Sequence, residues 1–272
     1  MDLILAETLR FIEANKERPF FCYAAWTLPH SKFEVPDFGP YGGKADWHEN
    51  ERAYAAMVTR ADAHIGKLLR VLKEEDLEKN TLVIVTSDNG AHDGSNKGFE
   101  RFQSNGVLRG TKGTLYEGGI RVPMIARWPG RIPAGRVSAA PCAFWDFGPT
   151  FAELAGIAMK TTDGLSLLPE LSGKGKLPRD RALYWEFHNF NLAAGRWQGV
   201  MRQAARVARW KAVRHRPDGP LELYDLAVDI RETKDLAAAN PDVVKRMEAL
   251  MRESHTPPRP HNKGSATPAR GV

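Results

Sequence analysis

The sequence predicts an α/β fold followed by a small antiparallel sheet with a terminal helix. Helical and strand-like patterns alternate through the first half of the chain, which is typical of a mixed or parallel sheet flanked by helices. Beyond residue 175 the pattern changes to short strand-like runs separated by turns. A length of 272 residues allows one large α/β domain or two smaller ones.

The elements of the first half follow from where apolar residues recur. After a helix at the N-terminus comes PFFCYAAW, residues 19–26, a continuous apolar run. Because this run does not alternate with polar residues, it predicts a strand buried on both faces, as in a parallel sheet. Segment 51–75 repeats apolar residues every three or four positions and predicts a long helix. Strands are expected at 81–86 and 122–128, and a helix at 146–154.

The second half predicts a separate subdomain over residues 176–254. Its strand-like runs are ALYWEF, GVMRQAARV, RWKAVRHR and LELYDL, and its helix is NPDVVKRMEALMRE. We therefore divide the chain into a larger α/β part, 1–175, this subdomain, and a Pro-rich polar tail, 255–272, whose composition predicts disorder.

Charge is concentrated in one stretch of the C-terminal part. The chain carries a formal net charge of +6, and residues 196–216 hold seven basic residues and no acid. Such a face would attract an anionic partner. The more usual interpretation is that alternating strand positions place these cations in solvent. No apolar run of about 20 residues predicts a membrane span, and the N-terminal residues lack a signal-peptide pattern.

The two cysteines, Cys22 and Cys142, both lie in apolar surroundings. We predict buried free thiols rather than a disulfide or a metal site. Two such residues do not identify the cellular compartment.

Polar residues end the strand predicted at 81–86. Asp88 and Asn89 follow it directly, and in open α/β sheets ligands bind beyond the carboxyl ends of strands. A carboxylate and an amide oxygen are hard ligands that suit Ca²⁺ or Mg²⁺, and Gly90 would allow a tight turn. An ordinary Asp-Asn-Gly turn is the alternative, because these residues are common in turns.

Several longer stretches follow one another along the chain: YAAWTLPHSKFEVP, TSDNG, GVLRGTKGTLYEGGIRVPMIARWPGRI, DFGPTFAELAGI and DGLSLLPELSG. Together with the C-terminal runs they cover almost all of the chain except its tail. These stretches resemble type I sulfatases of the arylsulfatase kind, which have an alkaline-phosphatase-like fold.

The resemblance implies a role for four residues. Asp88 and Asn89 would be two of the oxygen ligands of a divalent cation, usually Ca²⁺. His30 would hydrogen-bond the sulfate ester and assist the leaving group, and Lys112 would hold a sulfate oxygen. This agrees with the chemistry, because cleavage of a sulfate ester develops negative charge on the bridging oxygen. A cation orients the sulfuryl group.

Other polar residues near these motifs receive a weaker interpretation. Arg109 and Glu117 flank Lys112, and we interpret them as structural residues that orient its loop. His92 and His188 could face the substrate, without a role that the sequence defines. Taken alone, His30 and Lys112 would be an ordinary loop histidine and a solvated lysine.

In these sulfatases, the Cys or Ser that begins the motif C/S-x-P-x-R is converted to formylglycine, which acts as the nucleophile. Neither cysteine begins such a motif, and ATPAR, residues 266–270, begins with Ala. The family's first half also supplies further metal ligands, so the sequence resembles the C-terminal portion from a truncated gene, a split gene or a mispredicted start. We expect the isolated chain to lack turnover and to associate through unpaired strand edges. The family suggests a periplasmic or secreted location.

Two other functions remain open at the level of the sequence. A phosphoesterase or phosphonate hydrolase of the same superfamily would use two transition-metal ions with several His and Asp ligands. A non-catalytic anion-binding fragment would use residues 196–216. We expect a sulfated small molecule or carbohydrate as the substrate and no nucleic-acid partner, but the sequence does not identify that substrate.

Overall fold

The computed structural model describes residues 2–30, 32–92, 101–191 and 196–257. The α-helices are α1 (Asp2–Asn15), α2 (Glu49–Glu74), α3 (Glu117–Ile120), α4 (Phe147–Leu154), α5 (Leu168–Ser172) and α6 (Pro241–Ser254). The strands are β1 (Val83–Thr86), β2 (Met124–Arg127), β3 (Ala182–Asn191), β4 (Arg196–Val207), β5 (Trp210–Arg214) and β6 (Glu222–Asp225). Short 3₁₀ turns lie at Gly39–Tyr41, Glu78–Asn80 and Phe144–Asp146.

The long helix α2 confirms the helix predicted at 51–75. His48 caps its N-terminus: the side chain accepts a hydrogen bond from the backbone N–H of Asn50 at 3.1 Å, and Glu51 accepts one from the backbone N–H of His48 at 2.8 Å. These reciprocal bonds satisfy backbone donors that the first turn leaves unpaired. The buried face of the helix includes Ala53 and Met57.

Strands β1 and β2 confirm two predicted strands, and they pair antiparallel from Val83 opposite Arg127 to Thr86 opposite Met124. The prediction of a strand buried on both faces at 19–26 is wrong. That segment runs without a ladder partner among the described residues. Its exposure alternates, so that Phe21 and Tyr23 are 63% and 80% exposed. An apolar run becomes a buried strand only when neighbouring strands and helices cover it.

The C-terminal sheet confirms the predicted strands and final helix, with the antiparallel order β3-β4-β5-β6. Its alternating residues face two different layers. One set, with Ala205, Ala212 and Leu223, packs with Leu221 and with Met247 and Met251 of α6. The other set packs with the chain before α3 and comprises Ala204, Val213, Tyr224 and Leu226 together with Leu115 and Tyr116. Segment 115–116 therefore belongs to the core of the C-terminal sheet.

The division at residue 175 stays a prediction, and the shared core shows that residues on both sides of it pack together. Most of the tail predicted to be disordered, residues 258–272, lies outside the described residues. In the described part of the chain, no helix has the length and apolar character required to cross a membrane.

Candidate active site

The end of β1 carries the two predicted metal ligands. Asp88 is exposed and Asn89 is half-buried. Asn89 Nδ2 donates to the carbonyl of Gly90 at 2.9 Å, and the hydroxyl of Ser87 donates to the carbonyl of Asn89 at 3.0 Å. Only the first of these bonds uses the side-chain amide of Asn89, through its nitrogen, and the acceptor Oδ1 is the side-chain atom suited to a cation.

Glycine is needed at position 90 for a different reason from the tight turn that the sequence suggested. The φ of Gly90 is not positive, so the backbone conformation does not require glycine. A Cβ at this position would lie 1.7 Å from the carbonyl oxygen of Gly118, and the N–H of Gly90 donates to the carbonyl of Gly119 at 3.0 Å. Glycine is needed because two backbones approach closely here.

The loop that carries Lys112 is a tight turn. Gly110 and Gly113 have φ values of +81° and +84°, which side chains rarely tolerate. The hydroxyl of Thr114 donates to the carbonyl of Thr111 at 2.8 Å and accepts from the N–H of Thr111 at 3.1 Å. These bonds fix the backbone on both sides of Lys112.

One direct hydrogen bond and a bridge through Asn105 join this turn to the segment after β1. The backbone N–H of Lys112 donates to the carbonyl of Ala91 at 2.8 Å. Asn105 links the same two segments, because its Oδ1 accepts from Ala91 N at 2.9 Å and its Nδ2 donates to the carbonyl of Gly110 at 2.8 Å. Since Ala91 is two residues beyond Asn89, their Cα atoms lie within about 8 Å of each other.

His30 and Lys112 are in direct contact although 82 positions separate them in the sequence. Lys112 Nζ lies 3.3 Å from His30 Nε2. The backbone N–H of His30 donates to the carbonyl of Thr27 at 2.8 Å. An ammonium group has only donors, so this contact uses the lone pair of Nε2. Two of the four predicted residues thus meet, and the backbone of Lys112 adjoins the segment that carries the other two.

The described residues contain no group of three or more His, Cys, Asp or Glu side chains placed to hold a metal. The oxygens of Asp88 and Asn89 suit Ca²⁺ or Mg²⁺ chemically. Two residues provide fewer oxygens than the six to eight that Ca²⁺ takes. These two residues fit part of a metal site.

Arg109 and Glu117 make contacts that anchor the loop. Arg109 Nη1 donates to the Tyr224 hydroxyl at 2.9 Å and to the carbonyl of Glu232 at 2.7 Å. Glu117 Oε1 accepts from Lys211 Nζ at 2.8 Å, and the backbone N–H of Glu117 donates to Glu232 Oε2 at 2.8 Å. Both residues tie the loop to the C-terminal sheet, as a structural role requires.

The buried carboxylates of this anchor have opposite pKa shifts. Burial acts to raise the pKa of Glu117, but the charge and hydrogen bond of Lys211, helped by Arg206 and Arg121, outweigh it and hold that pKa below its ordinary value. Burial dominates at Glu232 and raises its pKa to about 6, although Lys211 Nζ lies 3.7 Å from its Oε1.

Sequence reasoning missed Asn105, Lys211 and Glu232. The basic run 196–216 gave a misleading signal, because Lys211 is fully buried rather than solvated. The only sequence signal for the burial of Lys211 is its apolar neighbours, Trp210 and Ala212. Nothing in the sequence pairs this lysine with acids 94 positions earlier or 21 positions later.

The remaining candidate residues are two histidines and two cysteines. His92 is exposed, and His188 is half-buried on β3. Cys22 is half-buried and Cys142 is exposed, so the prediction of burial is wrong for Cys142. Desolvation raises the pKa of both thiols, which disfavours the thiolate that a nucleophile requires.

Comparison with known proteins identifies the family and the fold of the chain. The fold is that of alkaline-phosphatase-like α/β proteins. The model of the Sulfatase family matches residues 1–157, and the model described as N-sulphoglucosamine sulphohydrolase, C-terminal, matches residues 111–256. The chain belongs to the sulfatase family, of type I.

Individual relatives cover nearly all of this chain. Steryl-sulfatase of Homo sapiens is 32% identical over 292 residues, which span 94% of this chain and 48% of that protein. The crystal structure of Ps i-CgsB in complex with k-i-k-neocarrahexaose matches with a TM-score of 0.80 and 30% identity, over 93% of this chain and 54% of the other. The phosphonate monoester hydrolase of Agrobacterium radiobacter matches with a TM-score of 0.56 and 28% identity, over 73% and 39%. The chain spans about half the length, or less, of the curated relatives it matches.

Proposed function

We propose that this chain supplies the leaving-group side of a sulfatase active site, for hydrolysis of organic sulfate monoesters. The observation that carries this proposal is the 3.3 Å contact between Lys112 Nζ and His30 Nε2. It brings a cation and a proton carrier together beside the strand end that bears Asp88 and Asn89. Family membership favours sulfate as the group that this pair receives.

The reaction gives each member of the pair a distinct task. Breaking the bond between sulfur and the bridging oxygen leaves negative charge on that oxygen. Protonated His30 would donate from Nε2 to the bridging oxygen, which keeps the charge from accumulating. Lys112 would turn its ammonium N–H toward a sulfate oxygen and neutralise part of the anionic charge. A bound sulfate would thereby replace the direct contact between the two side chains.

A divalent cation would be held in part by the carboxylate of Asp88 and by Oδ1 of Asn89. Such an ion polarises the sulfuryl group when bound. Formylglycine is the expected nucleophile of the family, but residues 1–272 contain no C/S-x-P-x-R motif. Neither cysteine fits that group.

Anion binding tests the proposed role of the pair. Sodium sulfate is titrated into the purified chain at constant ionic strength, while NMR follows the ring C–H signals of His30, assigned with His30→Gln. We expect a saturable shift of these signals, and Lys112→Ala should weaken sulfate binding about tenfold, the loss of one charge-assisted contact. Lys174→Ala, a change at an exposed lysine, should leave the binding unchanged.

An unresponsive His30 signal, or equal affinities in the two lysine variants, would contradict the assignment. We also expect the purified chain to hydrolyse 4-nitrophenyl sulfate no faster than Lys112→Ala does. Clearly faster hydrolysis by the unmodified chain than by Lys112→Ala would disprove that expectation, while it would support Lys112 as a catalytic residue.

The metal assignment has its own test. Calcium chloride should shift the backbone signals of Asp88 and Asn89, with half-saturation in the millimolar range expected of an incomplete oxygen site. Asp88→Asn should abolish the response, whereas Asp62→Asn on the exposed side of α2 should preserve it. Equal responses from both variants would show that the ion binds elsewhere.

A phosphonate monoester is the second candidate substrate, favoured by the similarity to a phosphonate monoester hydrolase. Methyl methylphosphonate, which is a phosphonate monoester, and methyl sulfate can be compared in the His30 titration, since both are monoanions. Tighter binding of methyl sulfate supports the sulfatase proposal, and tighter binding of methyl methylphosphonate supports the second candidate.

A further inference from the structure

Arg202 is a half-buried cation of the C-terminal sheet that stacks on an aromatic ring. Its guanidinium carbon lies 4.9 Å from the centre of the Phe187 ring. The two residues face each other in register on β4 and β3. A ring face attracts a guanidinium and restricts its motion, so the side chain of Arg202 is already held in place before any ligand binds.

The same ring reaches the turn that carries Lys112. A Cβ added to Gly113 would lie 3.8 Å from Cζ of Phe187, which is an ordinary contact distance. In space, the ring of Phe187 therefore lies between Arg202 and Gly113. The guanidinium carbon of Arg202 is within about 10 Å of the turn, given these two contacts and the width of a ring.

Neighbouring arginines of the sheet are engaged by the protein itself. Arg206 lies 3.7 Å from Glu117 Oε2, Arg209 pairs with Asp225, and Arg214 donates to Oε1 of Gln203. Within the described ranges, Arg202 has an aromatic partner and no carboxylate within ion-pair distance. Its N–H donors are suited to a bound anion.

The ladder between β3 and β4 is irregular beside Arg202. Phe187 pairs with Arg202, but Asn189 pairs with Gln198, so one residue of β3 faces residues 199–201 of β4. Gly199 within this bulge has a φ of +71°. Bulges bend a strand and redirect its side chains, and they are common beside binding sites.

We propose that Arg202 binds a second anionic group of the substrate, a carboxylate or a second sulfate, while Lys112 holds the sulfate ester that is cleaved. This inference rests on the proposed function and names its substrate class: a sulfated sugar that carries a further negative charge. A planar guanidinium can donate two parallel hydrogen bonds to either anion. The separation of Arg202 from the Lys112 turn matches a ligand with charged groups at both ends.

Calorimetric titration of the purified chain tests the proposal with three defined ligands. These are N-acetylglucosamine 6-sulfate, glucosamine 2-N,6-O-disulfate, and a monosulfated disaccharide with a uronic acid. The measured quantity is the ratio of the Kd for the monosulfate to the Kd for each doubly anionic ligand. We expect ratios near ten, the size of one charge-assisted contact. Arg202→Gln should bring the ratio close to one, and Arg216→Gln, at an exposed arginine just beyond β5, should retain it.

The outcomes separate this inference from the proposed function. If Arg202→Gln leaves the ratio of Kd values unchanged, the inference is overturned. If Lys112→Ala still weakens the binding of all three ligands, the proposed function remains intact. If Lys112→Ala alters none of the affinities, the proposed function fails as well. Whichever doubly anionic ligand loses its advantage in Arg202→Gln identifies the second group as a sulfate or a carboxylate.

Discussion

The C-terminal sheet and the two-stranded sheet of the N-terminal region differ in how fully their strands are covered. Core residues of the C-terminal sheet, such as Ala204, Ala205 and Leu223, have no exposed surface. Every residue of β1 is only half-buried, and Ile125 of β2 is 64% exposed. The difference follows from the covering layers, since both faces of the C-terminal sheet carry packed apolar side chains.

This difference shows what positions the candidate site. Lys112 lies in a loop whose end, segment 115–116, is buried in the core of the C-terminal sheet. Asp88 and Asn89 follow a strand that has one ladder partner among the described residues. The buried region therefore fixes the loop, and the loop then fixes the strand end through its bonds to Ala91. Three predictions test this order of dependence.

Lys211→Met should cause the largest loss. Lys211 is fully buried between Glu117 and Glu232, and methionine would fill a similar volume without the charge. Two buried carboxylates would then lack their shared cation, which typically costs 3–5 kcal/mol, or about 4 kcal/mol here. Urea unfolding measures the change. Lys234→Met, at an exposed lysine beyond β6, should cost little, and similar losses in both variants would refute the role of the buried cation.

Gly90→Ala should have the next largest effect, at the junction between the two regions. The new Cβ would overlap the carbonyl oxygen of Gly118, so one backbone must move, at a cost of about 3 kcal/mol. The NMR signals of Lys112 should shift as well, because the loop that carries Lys112 moves with the backbone of Gly118. Gly66→Ala in α2 meets no atom within 4 Å and should raise stability by about 0.7 kcal/mol. A well-tolerated Gly90→Ala would show that this close approach is not needed.

Sequence periodicity predicted the elements whose partners lie nearby in the chain. Strands β3 to β6 and α6 pack on one another as consecutive elements, so their pattern was sufficient. The run at 19–26 failed for the opposite reason. Its apolar composition is that of a buried strand, but burial depends on layers that the run itself does not encode, and Tyr23 is largely exposed.

The site was predictable only where a motif carried the information. His30 and Lys112 were identified by resemblance to a family, and their contact in the structure joins residues that no local pattern relates. Asn105 could not be found in this way, because its importance depends on a bond to Ala91 and another to Gly110. Such bridging residues become visible only once the loops are placed side by side.

The pH dependence of the buried anchor gives the smallest predicted effect. Burial raises the pKa of Glu232 from 4.5 to about 6 in the folded state. Between these values the folded protein holds a proton that the unfolded chain has released. Stability is therefore fully present below about pH 4.5 and falls as the pH rises to 6, by about 2 kcal/mol at 1.36 kcal/mol per pKa unit. Glu117 acts in the opposite direction, because its lowered pKa contributes stability that is lost as the pH falls below 4.5.

Carbon-detected NMR of the glutamate carboxyl groups separates these two contributions, and Glu232 should titrate near pH 6. Urea unfolding at pH 4.5 and pH 6.5 should show the loss of stability in the unmodified chain, and Glu232→Gln should reduce it because the titrating group is gone. Glu248→Gln, at an exposed position of α6, should leave the dependence as it is. If Glu232 titrates below pH 4.5, Lys211 stabilises both carboxylates in full. Lys211→Met would then cost more than about 4 kcal/mol, since a stronger stabilisation of the charged Glu232 by Lys211 would be lost.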